Sequence, residues 1–516
     1  MRTLLIALIV ALISGCSNPT QTQPEFVWPK TNETFEWPDH PSSEVFKALL
    51  KAYNQDDLKA LKNFVKTYYP TDKSKGKELY WRQIFSEYGT LKPFKVDEHK
   101  FHGLPAIWFQ GQSTKSWVKM VIMTNKTGDS IKRVGVFRKM RPTGELPPYQ
   151  LISTSQLPHY LDGYLNQLSE QERFSGSVLI AKGDSVIYQN SVGFNNKAKQ
   201  IINKATSIFP IASTTKVFTA TAIAQLIEAN KLALTDPISN FIPSYPKDIA
   251  DQVTIKHLLT HTSGIEFDDY DPFYYDTIQA KNLDEMVKLQ IKYIDHMNEG
   301  RRPNFKPLDK FDYSNDGYVL LGAIIEKVSG QSYGEYINQF IFEPSGMKNS
   351  IAINAKYEAL KNKPKKYSYN NREMRFQGGA RKEAIGSAVS SIIMPANGIY
   401  SSVSDLYKFF KALNQGRLVK AEIKEDMFGK HATQISSKAA QHHIYYGYGL
   451  MTRVTGKAVS IGHGGTDFGV GSSLEYFPEQ DMYVIVLSNF GAIAANTVSE
   501  HIRDLLQPNY VKQSSN

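Results

Sequence analysis

A serine and a lysine lie one helical turn apart at the start of a long apolar-periodic run. Ser213 and Lys216 belong to the segment Phe209–Ala220, and five apolar residues then share one face of the predicted helix: Val217, Ala220, Ile223, Ala224 and Ile227. The N-terminus of such a helix offers exposed N–H groups and a positive dipole end, which favour a developing oxyanion. A serine hydroxyl needs a base to become a nucleophile, and a buried, neutral lysine on the same face can supply it.

The spacing of these two residues is not specific by itself. Four other serines have a lysine three residues later, and they are Ser74, Ser116, Ser244 and Ser345. Only Ser213 leads into an apolar-periodic helix, so context favours it as the nucleophile. The alternative is a serine near a helix N-terminus followed by a solvated lysine, because serine is favoured at helix caps.

Length and charge limit the classes of function. The 516 residues indicate two to four domains, and the formal net charge is +10. The basic residues are spread along the chain, and their densest runs, 361–366 and 372–382, lie among Gly, Asn and Pro, which favours solvated loops over a nucleic-acid surface. The sequence contains no C-x-x-C pair, no Gly-rich phosphate loop and no metal-ligand helix, so we expect no metal and no cofactor.

The only cysteine, Cys16, follows a short apolar run, Leu4–Ile13, behind the charged Arg2. The run is too short for a transmembrane helix. Residues 1–15 resemble a bacterial lipoprotein signal, with cleavage before Cys16 and acyl chains on its thiol; the alternative is an ordinary secretory signal with an incidental cysteine. We therefore expect a lipid-anchored protein that faces the periplasm, with a tether at 16–39. Ser17 after the cysteine favours the outer membrane in a Gram-negative cell.

Residues 40–140 have the pattern of a small α+β domain. Helical spacing is found around Val45–Tyr53, Leu58–Val65 and Tyr80–Tyr88, and strand-like segments follow at 105–109, 117–123 and 130–137. A helical hairpin followed by a curling antiparallel sheet resembles the nuclear-transport-factor-like cone fold. We expect a binding or spacing module with its own ligand or protein partner. The Pro-rich stretch 141–154 is a predicted linker.

The remaining chain, 155–510, has strands near both of its ends. A helix is predicted at 161–168 and a hairpin at 176–181 and 185–192, while strands at 458–463, 471–477 and 482–488 precede a helix at 498–506. This arrangement predicts one large α/β domain whose sheet joins the two ends of the segment and which contains a mostly helical insertion.

Two further segments supply candidate site residues. Tyr313 and Asn315 lie two apart and would project to the same side of an extended loop. Tyrosine can shuttle a proton beside a cation, and asparagine can orient both a lysine and a substrate amide. In Gly462–Gly469, glycines allow close approach of the backbone to a ligand, and His463 can donate to that ligand. The alternative for His463 is a hydrogen-bonded strand histidine.

The order of these elements resembles the β-lactamase-related serine hydrolases, the family of class C β-lactamases, D-peptidases and related esterases. Further matching segments are Val253–Gly264, Pro395–Ser401 and Val484–Asn489. The resemblance implies a β-lactamase and penicillin-binding-protein transpeptidase-like fold, an antiparallel sheet with a helical insertion. It also implies roles for seven residues: Ser213 as the acylated nucleophile, Lys216 and Tyr313 as the proton-transfer pair, Asn315 and His463 as substrate neighbours, Gly465 as the point of close approach, and the backbone N–H groups of Ser213 and Thr466 as the oxyanion hole. Which of Lys216 and Tyr313 is the base stays open.

The sequence departs from the penicillin-enzyme motifs at two places. Tyr-Ser-Asn stands for Ser-Asp-Asn, and His-Gly-Gly stands for Lys-Thr-Gly. A histidine that is often neutral replaces a permanent charge suited to a β-lactam carboxylate. We therefore expect an esterase or D-stereospecific peptidase acting on a small ester, amide or peptide; the alternatives are a β-lactamase and a slowly acylating penicillin-binding or sensor protein. Pocket walls are expected from Asp268–Tyr275 and Asn370–Ala384; the alternative for the first segment is an exposed loop with a few packed tyrosines.

Overall fold

The computed structural model describes residues 35–98, 104–138, 155–265, 280–297, 307, 310–352, 364–368, 382–383, 395–437, 442–455, 458–467 and 469–506. The predicted signal segment, Cys16, most of the predicted tether and the predicted linker lie outside these residues, and so do nearly all of the two expected wall segments.

The N-terminal unit consists of three helices followed by an antiparallel sheet. The helices are α1 (Ser42–Asn54), α2 (Leu58–Tyr68) and α3 (Lys77–Tyr88), and the strands, in spatial order, are β1 (Leu91–Glu98), β2 (Pro105–Gly111), β3 (Trp117–Thr124) and β4 (Ile131–Arg138). Asp57 caps α2 by accepting the backbone N–H groups of Lys59 and Ala60. Phe46, Trp81 and Phe109 are fully or almost fully buried where the helices meet the sheet. The unit thus has its own hydrophobic core, and its likeness to the nuclear-transport-factor-like fold stays a prediction.

Strand β1 was absent from the sequence-based prediction. It carries Pro93, and its pairing with β2 shifts register between Pro93 and Lys95. A proline is tolerated there because β1 is an edge strand, where one row of N–H groups needs no partner. The proline and the charged residues of β1 give no clear alternating pattern, so the sequence did not indicate a strand whose formation depends on pairing with β2.

The second unit is built on an eight-stranded antiparallel sheet. Its spatial order is β13-β14-β15-β16-β17-β18-β5-β6. The bounds are β5 (Gly176–Lys182), β6 (Ser185–Val192), β13 (Ala432–Ser437), β14 (His442–Tyr446), β15 (Met451–Thr455), β16 (Ala458–Asp467), β17 (Val470–Phe477) and β18 (Met482–Ser488). β18 pairs with β5 over its whole length, from Met482 opposite Lys182 to Ser488 opposite Gly176. The prediction that one sheet joins both ends of this unit is confirmed.

Both faces of this sheet are covered. Along β5, Val178 and Ile180 belong to one hydrophobic cluster, and Leu179 and Ala181 belong to another, because successive side chains point to opposite faces. Helices α4 (Leu157–Glu170) and α14 (Ala492–Leu506) cover the first face, and a large helical layer that includes α5 (Thr215–Glu228) covers the second. Every residue of β18 is therefore buried.

The helical layer comes from the chain between β6 and β13. Its other helices are α6 (Lys247–Ala250), α7 (Ile255–Leu259), α8 (Leu283–Met297), α9 (Asn315–Ser329), α10 (Tyr333–Ile337), α11 (Glu343–Ser345), α12 (Val403–Asn414) and α13 (Ala421–Met427). Short strands also lie there: β7 (Phe194–Asn196), β8 (Ile201–Ile202), β9 (Phe209–Pro210), β10 (Tyr367–Ser368), β11 (Lys382–Glu383) and β12 (Tyr400–Ser401). Within the described ranges, no helix has the length and apolar character that crossing a membrane requires.

The N-terminal unit contacts the second unit through α4, α14 and the turn that follows α4. Tyr164 Oη donates to the carbonyl of Thr114 at 3.0 Å, and the hydroxyls of Ser116 and Thr497 lie 3.4 Å apart. The guanidinium of Arg173 lies 5.6 Å from the ring centre of Phe85. These contacts place the N-terminal unit on the face of the sheet opposite α5.

Candidate active site

Ser213 lies in a single 3-10 turn, Ala212–Thr214, immediately before α5. Ala212 adopts a left-handed conformation with φ of 46°, which costs a residue with a side chain about 1–2 kcal/mol. The turn is held against the sheet by Ser472, whose hydroxyl donates to the carbonyl of Ile211 at 2.7 Å and lies 2.8 Å from the hydroxyl of Thr214. Since the single proton of Ser472 is used on Ile211, Thr214 is the donor in the second bond.

Lys216 is fully buried on the first turn of α5. Its Nζ lies 3.3 Å from Ser213 Oγ, 2.8 Å from Asn315 Oδ1 and 3.0 Å from the carbonyl oxygen of Ala396. The same nitrogen lies 4.8 Å from the ring centre of Tyr313. The structure therefore brings together four residues that the sequence analysis singled out from segments about a hundred positions apart.

Tyr313 and Asn315 reach the site from the start of α9. Asn315 belongs to this helix, whereas the sequence analysis expected it in an extended loop. Ser314 caps this helix by accepting the N–H of Gly317 at 2.7 Å, so that Asn315 is its first residue. Ser314, just before the helix, has an extended backbone with φ of −132° and ψ of 119°. The cap fixes the direction in which α9 begins, and that direction sends the Asn315 amide to Lys216.

His261 holds this loop in place, a role that the sequence analysis missed. Its Nδ1 accepts the N–H of Ser314 at 2.9 Å, its carbonyl accepts the N–H of Asp312 at 2.7 Å, and its ring centre lies 4.2 Å from that of Tyr313. Burial, followed by the charge of Lys216, lowers the pKa of His261 well below its usual range. The only signal in the sequence was that His261 belongs to Val253–Gly264, a segment that matched the family without any assigned role.

His463 is almost completely buried on β16, and both of its ring nitrogens are engaged. Nδ1 lies 2.6 Å from the carbonyl of Gly464, and Nε2 lies 3.0 Å from Tyr446 Oη. Burial, with Lys216 as the next cause, lowers the pKa of His463 to about 3, so the ring is neutral at pH 7. A carbonyl only accepts, so Nδ1 carries the proton and Tyr446 donates to Nε2. In this arrangement His463 has no N–H to give to a substrate, unlike the donating role expected from the sequence.

Gly465 brings β16 against the nucleophile. A Cβ at this position would lie 3.0 Å from the backbone nitrogen of Ser213 and would overlap the carbonyl oxygen of Ile211. Thr466, the next residue, is exposed, whereas Ser213 is half-buried. The close approach places the end of β16 beside the Ser213 backbone, which is where the sequence analysis expected the oxyanion hole.

Two predicted parts of the site fall outside the described residues: the acidic and aromatic segment Asp268–Tyr275 and most of Asn370–Ala384. Among the residues that are described, no three His, Cys, Asp or Glu side chains are grouped as a metal would require.

The family model described as Beta-lactamase matches residues 161–506, which is more than half of the chain. The chain belongs to the Beta-lactamase family. It is 30% identical over 335 residues to penicillin-binding protein 4* of Bacillus subtilis, an alignment that covers 64% of this chain and 71% of that protein. It is 27% identical over 348 residues to the teichoic acid D-alanine hydrolase of Staphylococcus aureus, covering 67% of this chain and 77% of that protein. Alignments with two other curated relatives span 63% and 36% of those proteins.

Among solved structures, the fold of this family member is similar to that of a penicillin-binding protein from Bacillus halodurans. The TM-score is 0.56 at 28% identity, with 66% of this chain and 98% of that chain covered. The predicted transpeptidase-like fold is confirmed, and the chain is a serine hydrolase of the β-lactamase and penicillin-binding-protein family.

Proposed function

We propose that this serine hydrolase cleaves a small ester or amide, of the esterase or D-stereospecific peptidase type, through an acyl-enzyme on Ser213. The observation that carries the proposal is the set of three contacts made by Lys216 Nζ with Ser213, Asn315 and Ala396. These contacts define both what Lys216 can accept and what it can donate.

The proton count on Lys216 supports its role as the base. The carbonyl of Ala396 can only accept, and so can the amide oxygen of Asn315, so each takes one N–H from Lys216. A neutral amine has two N–H groups and one lone pair, and the lone pair is then left for the Ser213 hydroxyl. The separation of 3.3 Å is long for a hydrogen bond, as is common before a substrate is bound.

The reaction then follows in two halves. Ser213 Oγ bonds to the substrate carbonyl carbon while its proton passes to Lys216 Nζ. The bond from that carbon to the leaving group breaks, and the leaving oxygen or nitrogen takes a proton from the Lys216 and Tyr313 pair. A water molecule gives a proton back to the pair and bonds to the acyl carbon, and Ser213 leaves with its proton restored.

The neutral state of His463 favours a substrate without a carboxylate at that position. At this place on the strand the protein presents an uncharged ring whose nitrogens are both engaged. A β-lactam carboxylate would gain no ion pair from it. The likeness to a teichoic acid D-alanine hydrolase points in the same direction, toward a D-alanyl ester or amide.

Three substrates given to the full chain test the proposal: a p-nitrophenyl ester, a D-alanyl amide and a chromogenic cephalosporin. We expect many turnovers on the first two, abolished in Ser213→Ala and retained in Ser74→Ala, since Ser74 also has a lysine three residues later. Product limited to one equivalent per chain would overturn the proposal and indicate a slowly acylating sensor instead. Preference for the cephalosporin would overturn the proposed substrate class and indicate a β-lactamase instead.

We also propose that the chain is anchored in the bacterial cell envelope by acyl chains on Cys16, facing the periplasm. The support is the sequence of residues 1–16, in which a short apolar run precedes the only cysteine. Radiolabelled palmitate should be incorporated into the wild type and not into Cys16→Ser. A wild type without label would refute the anchor and leave the hydrolase proposal intact.

A further inference from the structure

A cavity of about 500 Å³ opens on the N-terminal unit, far along the chain from Ser213. It lies between the end of α2, the first turns of α3 and strand β4. Its volume falls in the range of small-molecule sites, about 300–1,000 Å³. The activity of the second unit gives this cavity no role, and its lining has a chemistry of its own.

Five cations surround the cavity and only one carboxylate does. The cations are Lys73, Lys75, Lys77, Lys132 and Arg133, and the carboxylate is Asp72. Within the described residues, none of the five forms an ion pair. Several cations elsewhere in the same unit do find carboxylates, since Lys47 pairs with Glu44, and Lys119 with Asp97.

This imbalance leaves an excess of positive charge around the cavity, with only Asp72 in the lining to offset it. Crowded cations repel one another, and a cleft lined by one sign of charge raises the local concentration of counter-ions. An anion that enters the cavity relieves the repulsion and gains charge-assisted hydrogen bonds. Four of the five cations are lysines, whose ammonium groups act as point charges suited to phosphate from several directions.

The remaining walls are apolar or aromatic. Tyr69 is 9% exposed and Ile131 is 1% exposed, while Tyr80 and Val134 are half-buried. Burial raises the pKa of Tyr69 to about 12, so its phenol stays protonated at neutral pH. A bare inorganic ion would leave these walls uncovered, whereas a ligand with an organic body would cover them.

We propose that this cavity binds an organic phosphate, with the phosphate among the lysines and the organic body against Tyr69 and Tyr80. The ligand is either a soluble phosphate ester or the headgroup of an anionic phospholipid. The proposal rests on the N-terminal unit alone and stands whatever the second unit hydrolyses.

Isothermal titration calorimetry of the full chain with 1-naphthyl phosphate tests the proposal. We expect saturable binding that weakens with salt and exceeds the binding of either 1-naphthol or inorganic phosphate. The double variant Lys73→Glu/Lys75→Glu should weaken it by about tenfold or more. The matched control is Lys59→Glu/Lys62→Glu, which makes the same charge change on exposed positions of α2 that do not line the cavity. Thermal melting of both variants checks that they are folded.

Absence of saturable binding by the wild type overturns the proposal, even if the chain adsorbs to anionic vesicles, because adsorption would then reflect exposed charge alone. Equal weakening in the two double variants overturns it as well, since the field of the whole unit would then account for binding. Once binding is established, phosphatidylglycerol vesicles that displace naphthyl phosphate identify a lipid headgroup, and vesicles that do not displace it identify a soluble ester.

Discussion

The second unit and the N-terminal unit use lysine in opposite ways. Lys216 has no exposed surface, and three oxygens in fixed positions surround its Nζ. Lys73 and Lys75 are exposed beside a cavity and, within the described residues, have no carboxylate as an ion-pair partner. A buried amine with a fixed environment suits proton transfer, because burial and fixed neighbours determine how readily it holds a proton. A group of exposed lysines suits recognition of an anion, because their charge stays constant while their flexible side chains can adjust to the ligand.

The largest effect is expected from Lys216→Met, which keeps the length of the side chain and removes its nitrogen. The Ser213 proton would lose its acceptor, so kcat should fall by about a thousandfold or more while the fold remains. The matched control is Lys59→Met, which makes the same change at an exposed position. The rate of hydrolysis of the preferred ester is measured in both variants. A Lys216→Met enzyme within about tenfold of the wild type would mean that Tyr313 alone is the base.

A buried ion pair gives a third use of charge. It lies on the face of the sheet opposite α5, where Arg503 binds the buried Glu475. Nε of Arg503 lies 3.0 Å from Oε2 of Glu475. Burial alone would raise the pKa of Glu475, but Arg503, helped by Arg453, lowers it to about 2. The stabilisation is present above the ordinary pKa of about 4.5 and is lost as the pH falls toward 2.

Arg503→Met should therefore lower the free energy of unfolding by about 3 kcal/mol at neutral pH, because the buried carboxylate of Glu475 loses its hydrogen-bonded partner and keeps only the weaker effect of Arg453. The comparison variant is Lys288→Met, which removes an exposed pair with Asp284 and should leave the free energy of unfolding almost unchanged, because solvent screens this pair. Urea unfolding at neutral pH measures both variants. Equal losses would show that burial does not distinguish these pairs.

His261 should act on rate through the position of Tyr313 and Asn315. His261→Ala removes the acceptor for the N–H of Ser314 and leaves a left-handed backbone, φ of 56°, to a residue that disfavours it. We expect kcat to fall about 10- to 100-fold with a smaller change in KM, because small displacements of reacting groups are costly. His261→Asn should recover much of the rate, since asparagine tolerates this conformation and can accept the same hydrogen bond. A His261→Ala variant that loses stability but keeps the wild-type kcat would make His261 purely structural.

The last prediction concerns the contribution of His463 to the loss of folding stability in acid. Its pKa of about 3 in the folded chain lies below its ordinary 6.5, so the unfolded chain binds a proton first and stability is lost as the pH falls from 6.5 toward 3. His463→Gln should reduce the loss of unfolding free energy between about pH 7 and about pH 5 by about 2 kcal/mol. Urea unfolding at the two pH values measures it, and an unchanged loss would mean that His463 titrates normally.

The sequence predicted best where local pattern and long-range packing agree. The apolar periodicity after Ser213 predicted α5, and the apolar runs at 176–181 and 482–488 predicted two strands that pair in the structure. Strands β13 to β15 were missed because they mix histidine, tyrosine and polar residues without clear alternation. Their presence in the sheet is decided by the pairing of β15 with β16.

Prediction of the candidate site from sequence was limited in the same way, because several of its features depend on long-range packing. The sequence indicated which residues are candidates, but the state of His463 depends on Tyr446, a residue on β14 that no local pattern connects to it. The role of His261 depends on a left-handed backbone and on a helix that begins 54 residues later at Asn315. Hydrogen bonds between distant segments are determined by the assembled fold, and sequence spacing carries no information about them.

The pairing of β18 with β5 has a consequence for how the molecule is made. Gly176 lies opposite Ser488, so this part of the sheet closes only after residue 488 has been synthesised, more than 300 positions after β5 begins. Until then, β5 has one edge without a partner and the Ser213 turn lacks Ser472 to hold it against the sheet. Contacts so distant in sequence form slowly. A growing chain that has not reached β18 would carry Ser213 and Lys216 without a completed site, and hydrolysis would begin only after β18 has been made and paired.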